Sequence, residues 1–215
     1  MTNAEILHKI NTTFFDPNST SNLTQNDFES LYSVVEKVKT DKMQIVEIGT
    51  NMGFSAALLG MFAREVNGSV ITIDPFDWTD GIKSIGYFNE NMKKFELTNV
   101  VHIRAFSKVT FDNFADDSID LLFIDGDHSY NGIKADLNMY YRKVKPGGIM
   151  CGHDYEVHLK NSMIDIKSIP NWDTRDLIGI HIGVVLAVSE FFNEKVNLEG
   201  ERIWWIQKGI DDGHI

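Results

Sequence analysis

The stretch that decides the architecture is Met43-Gln-Ile-Val-Glu47-Ile-Gly49-Thr50-Asn51-Met-Gly53-Phe-Ser55-Ala56. The apolar run Met43 to Ile48 reads as a buried strand and Gly49 to Gly53 as a turn of small residues. Phe54 to Val66, apolar around most of its circumference, reads as a helix packed on the same sheet.

Downstream the pattern repeats. Val70 to Ile73 is a second strand ending at Asp74, Ile85 to Phe95 a helix and Val100 to Arg104 a third strand. Ile119 to Ile124, interrupted by Asp120, is a fourth strand ending at Asp125; Gly132 to Lys143 is a helix. Lys145-Pro-Gly-Gly148 turns the chain into a fifth strand at Ile149 to Gly152. This alternation predicts an α/β fold with a mostly parallel sheet covered by helices on both faces. At the end, Val184 to Phe192 is a helix, and Lys195 to Leu198, the two-residue turn Glu199-Gly200 and Glu201 to Lys208 form an antiparallel hairpin. Trp204 and Trp205 point to opposite faces of that strand. Upstream, the polar stretch Asp16 to Asn26 joins an N-terminal helical appendage, residues 1–40, to the main domain, residues 41–210. Thr24 and Asp27 form a capping box for a helix whose stripe is Phe28, Leu31, Tyr32, Val35 and Val38.

Composition narrows the function. The 215 residues are 43% hydrophobic and 24% charged, which is globular usage, and 31 acids against 20 bases leave a net charge of −11. Such a surface repels a phosphate backbone, so nucleic acid is not the expected partner. The single cysteine, Cys151, forms no internal disulfide and fits the core of a protein in a reducing, cytoplasmic setting. No signal peptide or apolar run of about 20 residues predicts a membrane partner.

Ligands of open α/β sheets bind at the carboxyl ends of the strands. The turn Gly49 to Gly53 is small and opens a helix, but Asn51 replaces the second glycine of the GxGxxG dinucleotide fingerprint. Asp74, 21 residues beyond Gly53, is placed to accept hydrogen bonds from both hydroxyls of a ribose; the competing reading is a turn aspartate ahead of Pro75. Asp125, Asp127 and His128 follow the fourth strand, and His153 and Asp154 the fifth. Adjacent parallel strands bring these carboxylates and histidines into one crevice, where they need a cation, a shared proton or a base-and-partner arrangement. His102 reads as a hydrogen-bonded strand histidine. Phe76 and Trp78 read either as walls of the site or as core.

The segments EIGTNMGFSA, ITIDPF, AFS, LLFIDGDHSYNGIKADL, VKPGGIMCGHDY and GVVLAVSEFF together resemble a class I S-adenosylmethionine-dependent methyltransferase, of the small O-methyltransferase-like subgroup with an IDGDHSY block. The resemblance runs in order from about residue 43 to 208. It implies a Rossmann-like sheet of seven strands with a reversed hairpin strand. It also implies that Glu47, Gly49, Thr50, Asn51, Gly53 and Ser55 line the methionine side of S-adenosylmethionine. Asp74 would hold the ribose, Phe106 and Ser107 would flank the adenine, and Asp125 would add a contact from the fourth strand. The implied reaction is methyl transfer to a hydroxyl oxygen of a small molecule such as a sugar.

The positions also resemble those of metal-dependent O-methyltransferases, macrocin-type sugar enzymes among them. By that likeness Asp125, His153 and Asp154 would hold a divalent cation, although His153 stands where that group carries an oxygen ligand. Magnesium prefers oxygen, whereas manganese or iron tolerates the nitrogen. Asp127 is the first candidate for general base and His128 the alternative. An NAD-dependent oxidoreductase or epimerase and a non-catalytic S-adenosylmethionine-binding protein are the competing functions. The N-terminal helix offers contacts that a homodimer could exchange.

Overall fold

The computed structural model describes residues 5, 6, 8, 9, 12, 23–77, 81–158 and 180–209. Its elements are α1 (Gln25–Glu36), β1 (Gln44–Ile48), α2 (Phe54–Glu65), β2 (Ser69–Ile73), α3 (Gly81–Lys94), β3 (Val100–Ile103), α4 (Ser107–Thr110), β4 (Ile119–Ile124), α5 (Tyr130–Tyr140), β5 (Val144–Gly152), α6 (Ile182–Phe191), β6 (Asn197–Glu199) and β7 (Ile203–Gln207). The strands form one seven-stranded sheet in the order β3-β2-β1-β4-β5-β7-β6. The first five strands are parallel and β7 runs antiparallel to both β5 and β6.

Side-chain alternation along the strands divides the core in two. Ile45, Leu121, Phe123, Ile149 and Trp205 face α1, α2 and α3. Val46, Leu122, Ile124, Met150 and Trp204 face α5 and α6, so the two tryptophans do lie on opposite faces. The Thr24–Asp27 capping box forms as the sequence predicts. Phe28, Leu31, Val34 and Val35 of α1 are buried in the same cluster as α2 and the sheet. Among the described residues no helix is long and apolar enough to cross a membrane.

Three local expectations need correction. The segment Lys145 to Gly148 does not precede β5 but bulges within it: β5 pairs with β4 at Ile119↔Val144 and again at Leu121↔Ile149, so its extra residues loop out. The hairpin connection is three residues, Gly200 to Arg202, because Glu199 pairs with Ile203. Gly200 takes a φ of +63° there, the left-handed conformation such loops require. His102 is only partly satisfied, since its Nε2 is buried without a partner among the described residues. Its ring lies between Phe76 and Phe88, with centroids at 4.8 and 5.3 Å. Asp120, the acid that interrupts the fourth strand, accepts from the Gln44 backbone N–H at 2.7 Å and pairs with Lys145 at 2.7 Å.

Candidate active site

The order of the sheet reverses between β1 and β4, and a crevice opens beyond the ends of those strands, the usual ligand position in such folds. The two ends are pressed together: a Cβ on Gly49 would lie 2.0 Å from the Asp125 carbonyl oxygen, and Gly49 has a φ of +93°. Only glycine fits. Asn51 adopts a φ of +43°, so the residue in the second glycine's place keeps a glycine-like conformation, which asparagine tolerates better than most residues.

Asp74 fastens this turn. Its Oδ2 accepts from the N–H groups of Thr50 and Asn51, both at 2.9 Å, and its Oδ1 from Phe76 N–H at 2.8 Å. Three of the four acceptor positions of the carboxylate are used, so one remains for a ribose hydroxyl rather than two. The turn aspartate is thus the reading of Asp74 that these bonds show.

Glu47 lies behind the turn, fully buried, and accepts from Thr72 Oγ1 at 2.5 Å. Thr72 also meets the Thr50 hydroxyl. Burial pushes the Glu47 carboxyl up to about 8, against the opposing hydrogen bonds of Ser55 and Thr72.

A cavity of about 540 Å³ runs from this turn across the crevice. Gly49, Thr50, Asn51, Ser55, Asp74, Phe106 and Ser107 line one half; Asp125, His128, His153 and Asp154 line the other. Of the residues expected at the site, Glu47 and Gly53 are not on the cavity wall but lie behind it. Phe76 is buried rather than a wall, and Trp78 lies outside the described residues. Much of the long connection before α6, residues 159–179, lies outside them as well. Cys151 is fully buried in β5, where burial pushes its thiol up, and it serves as core.

The parallel pairing of β4 with β5 does bring Asp125, His153 and Asp154 together, with one ligand-type atom of each within 4.8 Å of the others. His153 Nδ1 lies 2.9 Å from Asp154 Oδ1 and 3.7 Å from Asp125 Oδ1; its Nε2 lies 3.3 Å from Asp27 Oδ1. Burial lowers the affinity of His153 for a proton, but Asp125, Asp154 and Asp27 outweigh it and carry the pKa up to about 10. His128 Nε2 is 3.4 Å from both Asp125 Oδ1 and Asp154 Oδ2. Burial again lowers its pKa and the two carboxylates overcome that, so His128 holds a proton more firmly than a free histidine.

Asp127 is placed differently from the expectation that made it first candidate for the base. Its Oδ1 accepts from Ser129 N–H at 3.0 Å, and a Cβ on Gly132 would lie 2.5 Å from its Oδ2. The carboxylate thus sits over the start of α5, where free N–H groups attract negative charge. The fold brings His128 to the cluster and places Asp127 at the helix end, where it too lines the cavity.

Five further residues complete the wall or stand directly behind it, and the sequence reading passed over their part in the site. Asp27 of α1 and Arg202 of the hairpin loop form a bidentate pair. His181, before α6, donates from Nδ1 to Glu156 at 2.5 Å and lies 3.3 Å from Asp154. Asp136 accepts from Ser107 at 2.6 Å, and burial pushes it up to about 6.

The family model described as a methyltransferase domain matches residues 46–155, which run from β1 through β5 to the crevice. The chain belongs to that family. Uncharacterized protein R132 of Acanthamoeba polyphaga mimivirus is 34% identical over 139 residues, which cover 60% of this chain and 59% of that protein. The match therefore spans about three fifths of that relative's length. A Staphylococcus aureus protein assigned as a caffeoyl-CoA O-methyltransferase superposes with a TM-score of 0.66 at 17% identity, covering 97% of this chain and 93% of its own. The O-methyltransferase from Bacillus cereus, solved with S-adenosylhomocysteine, gives 0.56 at 19% identity and covers 95% and 90%. At these identities the likeness establishes a shared fold, the Rossmann-like methyltransferase sheet.

Proposed function

We propose that this methyltransferase domain moves a methyl group from S-adenosylmethionine to a hydroxyl oxygen of a small molecule, a sugar or another metabolite. The observation that carries the proposal is the cavity itself. One half is the small-residue turn at the sheet's reversal point with Asp74, and the other half is a cluster of histidines and carboxylates suited to taking a proton. Bound in the first half, S-adenosylmethionine supplies a methyl carbon already activated by its sulfonium.

The chain's part is alignment and proton removal. The free acceptor position of Asp74 suits a ribose hydroxyl, and the half-exposed Phe106 ring offers a flat apolar face at the same end. As the C–O bond forms and the C–S bond breaks, the hydroxyl proton passes to His128. Asp125 and Asp154, each 3.4 Å from its Nε2, meet the imidazolium that results. The chain's net charge of −11 favours a small acceptor over nucleic acid.

Asp125, His153 and Asp154 each offer one ligand atom within 4.8 Å of the others and would hold a divalent cation; such an ion would lower the pKa of an acceptor hydroxyl. His128, Asp154 and His181 form a second close trio, but the His181 nitrogen nearest Asp154 is the one hydrogen-bonded to Glu156. No step here runs through a metal.

Titration calorimetry with S-adenosylmethionine and S-adenosylhomocysteine tests the proposal. Saturable binding is expected, followed by transfer of labelled methyl to a panel of hydroxylated metabolites. No heat at millimolar cofactor overturns it.

A further inference from the structure

In the half of the cavity that holds Phe106 and Ser107, a buried carboxylate is left short of a donor. Asp136 on α5 is 3% exposed, yet it lines the cavity. Its Oδ1 accepts from the Ser107 hydroxyl at 2.6 Å, and among the described residues no other group donates to the side chain. Oδ2 is therefore open to the cavity with its lone pairs unused. We propose that Asp136 reads the base of the methyl donor's nucleoside: Oδ2 accepts from the exocyclic amino group of an adenine and rejects a purine with a carbonyl in that place. The proposal rests on reading the cavity as a methyl-transfer site.

The surroundings hold Asp136 and Ser107 in fixed positions. The Ser107 carbonyl lies 2.9 Å from the Tyr140 hydroxyl and 3.1 Å from the Thr110 hydroxyl, and those two hydroxyls are 2.9 Å apart. Two hydroxyl protons thus tie three oxygens together at the start of α4, and Tyr140 and Thr110 are buried. The Ser107 hydroxyl remains for Asp136. On α5, Ile133 and Leu137 are buried in the core and anchor the helix that carries the carboxylate.

Chemistry then selects the ligand. Asp74, at the end of β2, keeps one acceptor position for a ribose hydroxyl. Phe106 follows the neighbouring strand β3 and is 47% exposed, a flat face for a ring. A nucleoside laid from Asp74 towards Phe106 brings its base to Ser107 and Asp136. An ionised carboxylate only accepts hydrogen bonds. Burial, against the Ser107 bond, pushes Asp136 up to about 6, so the group is ionised at neutral pH and above. Adenine offers an amino donor where hypoxanthine or guanine has a carbonyl acceptor. The donor pairs with Oδ2, whereas the carbonyl sets oxygen against oxygen and leaves a buried charge unpartnered.

Calorimetry at about pH 8, comparing S-adenosylhomocysteine with S-inosylhomocysteine on wild type and on Asp136→Asn, tests this. For wild type the expected result is more than about tenfold weaker binding of the inosine compound, the loss of one hydrogen bond to a charged group. In Asp136→Asn, Ser107 still donates to the amide oxygen and the amide N–H₂ faces the cavity. The adenosine compound should then lose affinity, the inosine compound should gain it, and the ratio should shrink. A purely structural role would weaken both ligands alike and leave the ratio where it was. Carboxyl-carbon NMR of the wild-type chain needs no variant: an Asp136 signal that moves on adding S-adenosylhomocysteine supports the proposal, and one that stays overturns it. A wild-type preference below about tenfold, or an unchanged ratio in the folded variant, also overturns it. If wild type binds neither compound, the methyl-transfer reading fails; if it binds both about equally, only the assignment of Asp136 fails.

Discussion

Replacing Glu47 by glutamine should change how stability depends on pH. Glu47 is fully buried behind the Gly49–Gly53 turn, and burial lifts its pKa from the ordinary 4.5 to about 8. Between those values the folded chain holds a proton that the unfolded chain releases. Stability therefore falls as pH rises through that window and levels off above about 8. One pKa unit is worth about 1.4 kcal/mol, so wild type should lose about 2 to 3 kcal/mol between about pH 5.5 and about pH 7.5 through this group. The amide introduced by Glu47→Gln does not titrate in this range, and the variant lacks that component. Urea unfolding followed by tryptophan fluorescence, for both proteins at both pH values, gives the difference directly. The variant should gain on wild type by roughly 2 to 3 kcal/mol at the higher pH, the slope above multiplied by the interval. Any steric cost of the amide appears equally at both pH values and cancels. A wild-type-to-variant difference that is the same at both would refute the account of Glu47 as a buried neutral acid.

Two other outcomes follow from the cluster. Asp27→Ala strips a buried partner from Arg202 and His153 and also removes the capping acid of α1. Unfolding free energy should drop by about 3–5 kcal/mol, as when one member of a buried ion pair is removed, and chemical denaturation measures it. For catalysis, kcat/KM should rise with pH along a limb set above the ordinary histidine value, because Asp125 and Asp154 favour the protonated form of His128. His128→Ala should abolish that limb and Asp127→Asn should keep it; the reverse pattern in a pH–rate profile would return the base to Asp127.

The parts legible from sequence are those whose signal is local. Continuous apolar runs such as Ile119 to Ile124, ended by an acid, mark parallel strands, and Thr24 with Asp27 marks a helix start. The same local logic placed Asp125, His153 and Asp154 side by side, since neighbouring strands share an end. Boundaries set by pairing were less visible. The bulge at Lys145 to Gly148 depends on how β4 and β5 register, and the third residue of the hairpin loop on where Glu199 finds its partner. The anchors of the cluster were hidden for a different reason. Asp27, Glu156, His181 and Arg202 come from four segments with no characteristic spacing between them. Asp27 carried a clear signal, but for its capping role. A carboxylate has capacity beyond one such bond, and that spare capacity was the available clue. His181 offered only its place ahead of an apolar helix that opens at the crevice.

The Asp27–Arg202 pair has a consequence for inheritance. The stretch that defines family membership, residues 46–155, contains the turn, Asp74, Asp125, His128, His153 and Asp154. The residues that fix the far wall, Asp27, His181 and Arg202, all lie outside it, two of them tied to each other from opposite ends of the chain. Removing either member alone would leave a charge without its partner, so a carboxylate and a guanidinium would have to change together. Two distant segments of the chain are thereby bound to vary in paired steps, without disturbing the strands that carry Asp74 and Asp125.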